Sequence, residues 1–163
     1  MRRSSKTKAL AGAWVALALA ACGGSETTPI EPTPDPTVQP FVGTWDAETL
    51  TVTSTAVDTI VADLIEIGGS FTLNVQESGQ YTAQLAFAAT DSLGIDPFVE
   101  IGQLTVSDRF VTLDPETPPG DPVASEYEFL SDDLLRLEGP TEFDFNLDES
   151  PDPAILLIEL RRR

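Results

Sequence analysis

The sequence predicts an all-β fold: an antiparallel up-and-down barrel, or a strongly curved sheet, of about eight or nine strands in residues 41–163. Three observations predict it. Apolar residues recur at every second position in one run after another, as they do when a half-buried strand turns alternate side chains toward a core. The runs are joined by short turns rich in Gly, Ser and Asp, which connect antiparallel neighbours. The stretch, about 120 residues long, suits one domain with one core, and no repeat with a period of about 20–50 residues breaks it up.

Taken in order, the first strand is residues 45–55 and the second is residues 59–65. Residues 57–67 also fit a second reading, a strand followed by a helical turn that Gly68 and Gly69 terminate. Phe71, Leu73 and Val75, then Tyr81, Ala83, Leu85 and Phe87, alternate with polar neighbours on either side of the turn at residues 77–80. That grammar is a β-hairpin. It recurs in residues 101–106 and 110–113 around Ser107-Asp108-Arg109, and in residues 126–130 and 134–138 around Ser131-Asp132-Asp133. Residues 154–160 complete the set.

The first 40 residues are of a different kind. Arg2, Arg3, Lys6 and Lys8 precede an uncharged run of 13 residues, 9–21. A spanning helix needs about 20 apolar residues, so this run reads as the core of a signal peptide and is set apart from the fold. Residues 23–40 hold five prolines, four threonines and only two aliphatic side chains. Such a segment has too little apolar surface to offset the entropy of ordering and is expected to be a disordered tether. As polyproline II at about 3.1 Å per residue, it reaches up to about 55 Å.

Between these two segments stands Leu19-Ala20-Ala21-Cys22, which resembles the lipobox of bacterial lipoproteins. The resemblance implies that residues 1–21 are removed and that Cys22 becomes the first residue of the mature chain. It implies a thioether-linked diacylglycerol on Cys22 and an acylated amino terminus, which together anchor the protein stably where one chain would not. Cys22 is the only cysteine, so no internal disulfide is available. Gly23 rather than aspartate follows it, which in a two-membrane host implies sorting to the outer membrane. The expected domains are therefore 1–21, signal peptide; 22–40, acylated cysteine and tether; and 41–163, the β domain.

Charge excludes whole classes of function. The chain has 9 basic and 27 acidic residues, net −18; losing the four basic residues before Cys22 makes that −22. No lysine or histidine follows Cys22, only Arg109, Arg136, Arg161, Arg162 and Arg163. Nucleic-acid binding, which needs Lys and Arg to neutralise phosphates, is excluded. Catalysis through a Ser-His-Asp triad, a Cys-His pair or a lysine Schiff base is equally out of reach, and no carboxylate pair stands out among so many acids. The domain is expected to be non-catalytic and monomeric.

At the head of the first strand stands Gly43-Thr44-Trp45, a G-x-W motif just after the tether, with a ladder of hairpins behind it and an arginine-bearing last strand. Here the chain resembles the lipocalin-like domains of bacterial lipoproteins. The resemblance implies a barrel whose bottom is closed by Trp45, with an arginine near the chain end packed over it. Arg161 is assigned that place, and Arg162 beside it is the alternative. The barrel-binding reading that follows is a small apolar or amphipathic ligand; the other reading is an interaction protein with a filled barrel and an acidic outer face. A cavity above about 300 Å³ separates them.

Three smaller features complete the reading. Asp144, Asn146 and Asp148 repeat the alternating oxygen donors that open a calcium loop, but Glu149 stands where that loop needs glycine and Ile155 where it needs a bidentate glutamate. They are the candidate metal ligands, for Ca²⁺; no other cofactor is expected. Arg161, Arg162 and Arg163 fit either lipid head groups or local carboxylates. Residues 115–122 fit a rigid loop at a ligand mouth or a plain connection. Phe71, Tyr81, Phe87, Phe110, Tyr127, Phe129 and Phe143 fit either a pocket lining or the core.

Overall fold

The computed structural model describes residues 35–88 and 97–163. The reading of residues 1–21, Cys22 and most of the tether therefore lies outside the described residues. Among the described residues nine strands form: β1 (Gly43–Ser54), β2 (Val61–Asp63), β3 (Gly69–Val75), β4 (Gln80–Phe87), β5 (Phe98–Ser107), β6 (Phe110–Thr117), β7 (Val123–Ser131), β8 (Leu134–Phe143) and β9 (Asp152–Arg162). Every neighbouring pair is antiparallel, and β9 returns to pair with β1 along most of its length, from Trp45–Arg162 to Ser54–Ala154. The sheet is thus a closed ring of eight strands, β1-β3-β4-β5-β6-β7-β8-β9, with β2 added beside the upper half of β1. Closure removes the free edges that an open sheet would expose along those strands.

The alternation seen in the sequence is the alternation of the pleat. Along β3, Gly69, Phe71, Leu73 and Val75 are buried between more exposed neighbours, and along β4 Tyr81, Ala83 and Leu85 are buried likewise. In β1 a bulge shifts the register between Ala47 and Thr49. One extra residue, Glu48, is absorbed there, so Trp45 below the bulge and Leu50 and Val52 above it all face the core. On the outer face, Glu159 of β9 accepts hydrogen bonds from Arg136 of β8 (2.6 Å) and Thr49 of β1 (3.0 Å), a polar row across three strands. These two bonds, Arg136 first, hold the Glu159 carboxyl below its ordinary range against a smaller effect of burial.

The two ends of the barrel differ. Three tight hairpins meet at the lower end; the first turns at Gly79 (φ +82°), where Gln76 N donates to Gln80 O at 2.8 Å. Longer connections, 55–60, 118–122 and 144–151, leave from the upper end. Residues 57–67 resolve into the three-residue β2, shorter than the strand over 59–65, and a turn over 64–68 that Gly68 (φ +91°) and Gly69 close, as the second reading expects. Leu64 is buried in that turn; its N–H donates to Leu50 O at 2.8 Å and its carbonyl accepts from Gly69 at 2.7 Å. The turn thereby fills the gap where β1 and β3 diverge.

The domain also begins earlier than residue 41. Asp35 caps a turn by accepting from the backbone and side chain of Thr37, a 3-10 helix spans Gln39–Phe41, and Val38 is 1% exposed. The last residues of the expected tether fold against the barrel because Val38 and Phe41 bury together, a contact outside the reach of strand periodicity. Among the described residues the buried hydrophobic side chains run from Val38 to Leu160, and Pro32–Arg163 forms one compact unit. This stretch therefore carries its own fold. Among the described residues no helix is long and apolar enough to cross a membrane.

Closure also depends on one close approach. At Gly102, where the β5–β6 register shifts, an added Cβ would lie 2.1 Å from Asp114 O and 2.9 Å from the Pro115 Cα. Both neighbours are backbone, so β5 and β6 would have to part. Gly102→Ala is expected to lower stability by about 2 kcal/mol, read as a fall in the urea midpoint; an unchanged midpoint would show that the two strands are not so close.

Candidate ligand cavity

The lower end is sealed by side chains. Trp45 is fully buried and donates its indole N–H to Phe41 O at 2.7 Å. Phe41, Tyr127 and Phe129 pack around it, with ring centroids 5.0 Å apart for Phe41–Tyr127, 5.1 Å for Phe41–Phe129 and 6.3 Å for Trp45–Phe129. The Arg162 guanidinium lies over the indole, 4.1 Å from the ring centroid, and donates to Pro40 O at 2.7 Å and to Val42 O. One cation therefore stacks on the plug and ties down the chain entering it.

The arginine over Trp45 is Arg162, not Arg161. Arg162 is the direct register partner of Trp45, and it falls on the same face of β9 as buried Leu160 and Ile158. Arg161, one residue away, points to the other face, where it binds both oxygens of Glu48 and reaches Asp133 at 3.1 Å. Arg163 binds Asp46, with Nη2–Oδ1 at 2.9 Å. The terminal arginines are thus spent on the barrel itself: two on local carboxylates and one on the plug.

Above the plug the barrel is hollow. Leu135 and Leu160, cross-strand partners, are fully buried at the floor. Two residues further up each strand, Leu137 and Ile158 line a cavity of about 910 Å³ that opens at the upper end. Phe71, Leu73, Ala83 and Leu156 complete its apolar wall. Phe98, Pro115, Val123 and Pro153 stand with Gly120 and Asp121 around its upper part, so the loop at residues 115–122 does contribute to the mouth. Small residues create the space: the inward positions here hold Ala83, Ser125 and Gly139. At Gly139 an added Cβ would lie 2.6 Å from Ser125 Oγ, so these two residues already meet.

Among the described residues the charges on this cavity are all of one sign: Glu100, Asp121 and Glu142 line it, and no arginine does. Glu100 accepts a hydrogen bond from the hydroxyl of Tyr81, whose side chain is fully buried. Burial first, then the bond to Glu100 and its charge, then Asp114 and Glu116, push the Tyr81 hydroxyl above the ordinary phenol range. The phenol therefore stays protonated and keeps donating.

Of the seven aromatics singled out in the sequence, only Phe71 lines the cavity. Tyr127 and Phe129 belong to the plug, Phe143 packs on Phe145 (4.8 Å) and Phe110 faces outward beneath Arg109 (5.4 Å). Phe98 lines the cavity and was not among them. The sequence signal for the hollow is instead the row of small residues at inward positions.

The candidate calcium loop is folded on itself. Asp144 accepts from the backbone amides of Asn146, Asp148 and Glu149, and Asn146 accepts from Asp148 at 3.0 Å. Desolvation raises the Asp144 carboxyl, but the amides of Glu149, Asp148, Leu147 and Asn146 outweigh it, and the net direction is downward. Among the described residues no group of three or more His, Cys, Asp or Glu could hold a metal ion. The positive φ of Leu147 and Glu149 turns the chain without the glycine that the calcium motif requires.

No family model matches the sequence, and no curated protein does so at a significant level. Among solved structures, the chain is similar to EF1p2_mFAP2b bound to DFHBI, with 16% identity and a TM-score of 0.46 over 78% of this chain and 97% of that one. It is also similar to a redesigned beta barrel, with 14% identity and a TM-score of 0.43 over 78% of this chain and 95% of that one.

The two neighbouring arginines give opposite expectations. Arg162→Ala removes the stack on Trp45 and two charge-assisted bonds and should cost about 2 kcal/mol in urea unfolding. Arg161→Ala removes exposed ion pairs and should cost less than about 1 kcal/mol. Equal losses would place the plug's cation elsewhere.

Proposed function

We propose that the protein is a lipid-tethered envelope lipoprotein whose barrel binds a small apolar or amphipathic molecule, without catalysis of its own. The observation that carries the binding reading is the cavity of about 910 Å³ with its largely aliphatic wall. Ligand sites typically enclose about 300–1,000 Å³ and combine an apolar lining with a few convergent polar groups. An eight-stranded barrel is just wide enough either to be filled by its own side chains or to hold one small ligand. The hollow above Leu135 and Leu160 supports the second case and weighs against an interaction protein with a filled barrel.

The anchoring half rests on sequence. Cys22, after an apolar run and before Gly23, is the proposed site of acylation, and the outer membrane of a two-membrane host is the proposed address. The segment after Cys22 then serves as the link to the lipid, and residues 38–41 enter the barrel at its sealed end, opposite the mouth. The similarity to lipocalin-like domains in the placing of Trp45 supports the same reading.

One measurement tests both halves: intact mass of the chain extracted from bacterial membranes, taken natively and after denaturation. The denatured mass should fit a chain that begins at an acylated Cys22, and the native mass should exceed it by a small molecule. A denatured mass retaining residues 1–21 would refute the anchor. A bare native mass, with no uptake of alkyl amphiphiles of any head-group charge, would refute the binding.

A further inference from the structure

We propose that the molecule the cavity takes is a cationic amphiphile, an apolar body carrying an ammonium head, with Glu100 as its counter-ion. The inference rests on the binding reading above and deepens it. Its first ground is the lining: aliphatic walls from Leu73, Leu137, Leu156 and Ile158 surround a chamber whose only charged side chains among the described residues, Glu100, Asp121 and Glu142, are carboxylates. The second is the position of Glu100. It lies on an inward position of β5, half-buried, and the hydroxyl of Tyr81 fixes one of its oxygens from within the wall. The other oxygen has no hydrogen-bond donor among the described residues.

The third ground is that the described residues supply no cation to this carboxylate. Arg109 is paired with Glu126, Arg136 with Glu159, Arg161 with Glu48 and Asp133, and Arg163 with Asp46, while Arg162 covers Trp45. No lysine or histidine follows Lys8. A carboxylate in a semi-enclosed apolar chamber is poorly solvated and attracts an opposite charge more strongly than one on the open surface. The surrounding field acts in the same direction, since a net charge of −18 concentrates cations and repels anions. A fatty acid or a phosphate ester would bring a like charge to Glu100, Asp121 and Glu142, and juxtaposed like charges disfavour a ligand. An ammonium head at Glu100 satisfies the free oxygen and leaves the alkyl chain on the aliphatic wall.

The test compares decylamine, decanol and decanoate, which share a chain and differ in head group, by calorimetric titration of Pro32–Arg163 near neutral pH and below their micelle concentrations. Decylamine should bind at least about tenfold more tightly than decanol, with decanoate weakest, the size expected for a charge-assisted hydrogen bond. Glu100→Gln, which keeps the shape and an oxygen for Tyr81, should weaken decylamine about tenfold and leave decanol within about twofold. Decanol or decanoate binding as tightly as the amine would overturn the cationic assignment and leave the cavity an apolar site. Amine binding that survives Glu100→Gln unchanged would also overturn it. Failure of all three to bind would overturn the binding reading itself; the comparison among ligands needs no variant, so a poorly folded Glu100→Gln would not obscure it.

Discussion

The stack of Arg162 on Trp45 fixes the lower end of the barrel, and the rest of the structure is built from there. The indole N–H donates to the Phe41 carbonyl, and its ring is covered by a guanidinium that also grips the carbonyls of Pro40 and Val42. First and last strands are thereby locked in register at the point where the ring of strands must close. The same contact recruits residues 38–41 into the core, so the chain enters the domain through its sealed end. Loss of the cation would leave the aromatic cluster packed, but it would free the entering segment and weaken the seam between β1 and β9.

Sealing one end makes the other end meaningful. In an eight-stranded barrel the interior is filled or hollow according to the size of the inward side chains. Here the lower layers are full, with Trp45, Leu104, Leu135 and Leu160 all buried, and the upper layers thin out at Ala83, Ser125 and Gly139. The chain is thus a cup rather than a solid plug. The arginines among the described residues are distributed to match: each meets a carboxylate outside or the indole below, and the carboxylates on the inner wall have no basic partner among those residues.

Much of this was legible in the sequence, and the limits have physical causes. The nine strands could be read because each buries one face, so their side chains alternate with a period of two. β2 is shorter than the strand read over residues 59–65, and the Gln39–Phe41 turn escaped because it spans three residues, too few to show a period. The choice between Arg161 and Arg162 turns on a single step of the pleat, and a one-residue shift moves a side chain to the opposite face. Only the register with Trp45 decides it. The cavity was harder still. Aromatic residues draw attention because they are large, yet a hollow is made by what is small. The Asp144 loop shows the converse, a pattern of oxygens that suggests a cation but closes on its own amides.

The central claim, a barrel sealed at Trp45 and open above Leu137, is tested most directly by the reactivity of single cysteines in a chain whose own Cys22 is replaced by serine. Ser125→Cys stands on the wall of the cavity and Leu160→Cys in the sealed floor. The account predicts that a small maleimide labels position 125 rapidly in the native protein and labels position 160 only at the rate of unfolding. Protection of both positions would contradict it, because the barrel would then be filled from end to end.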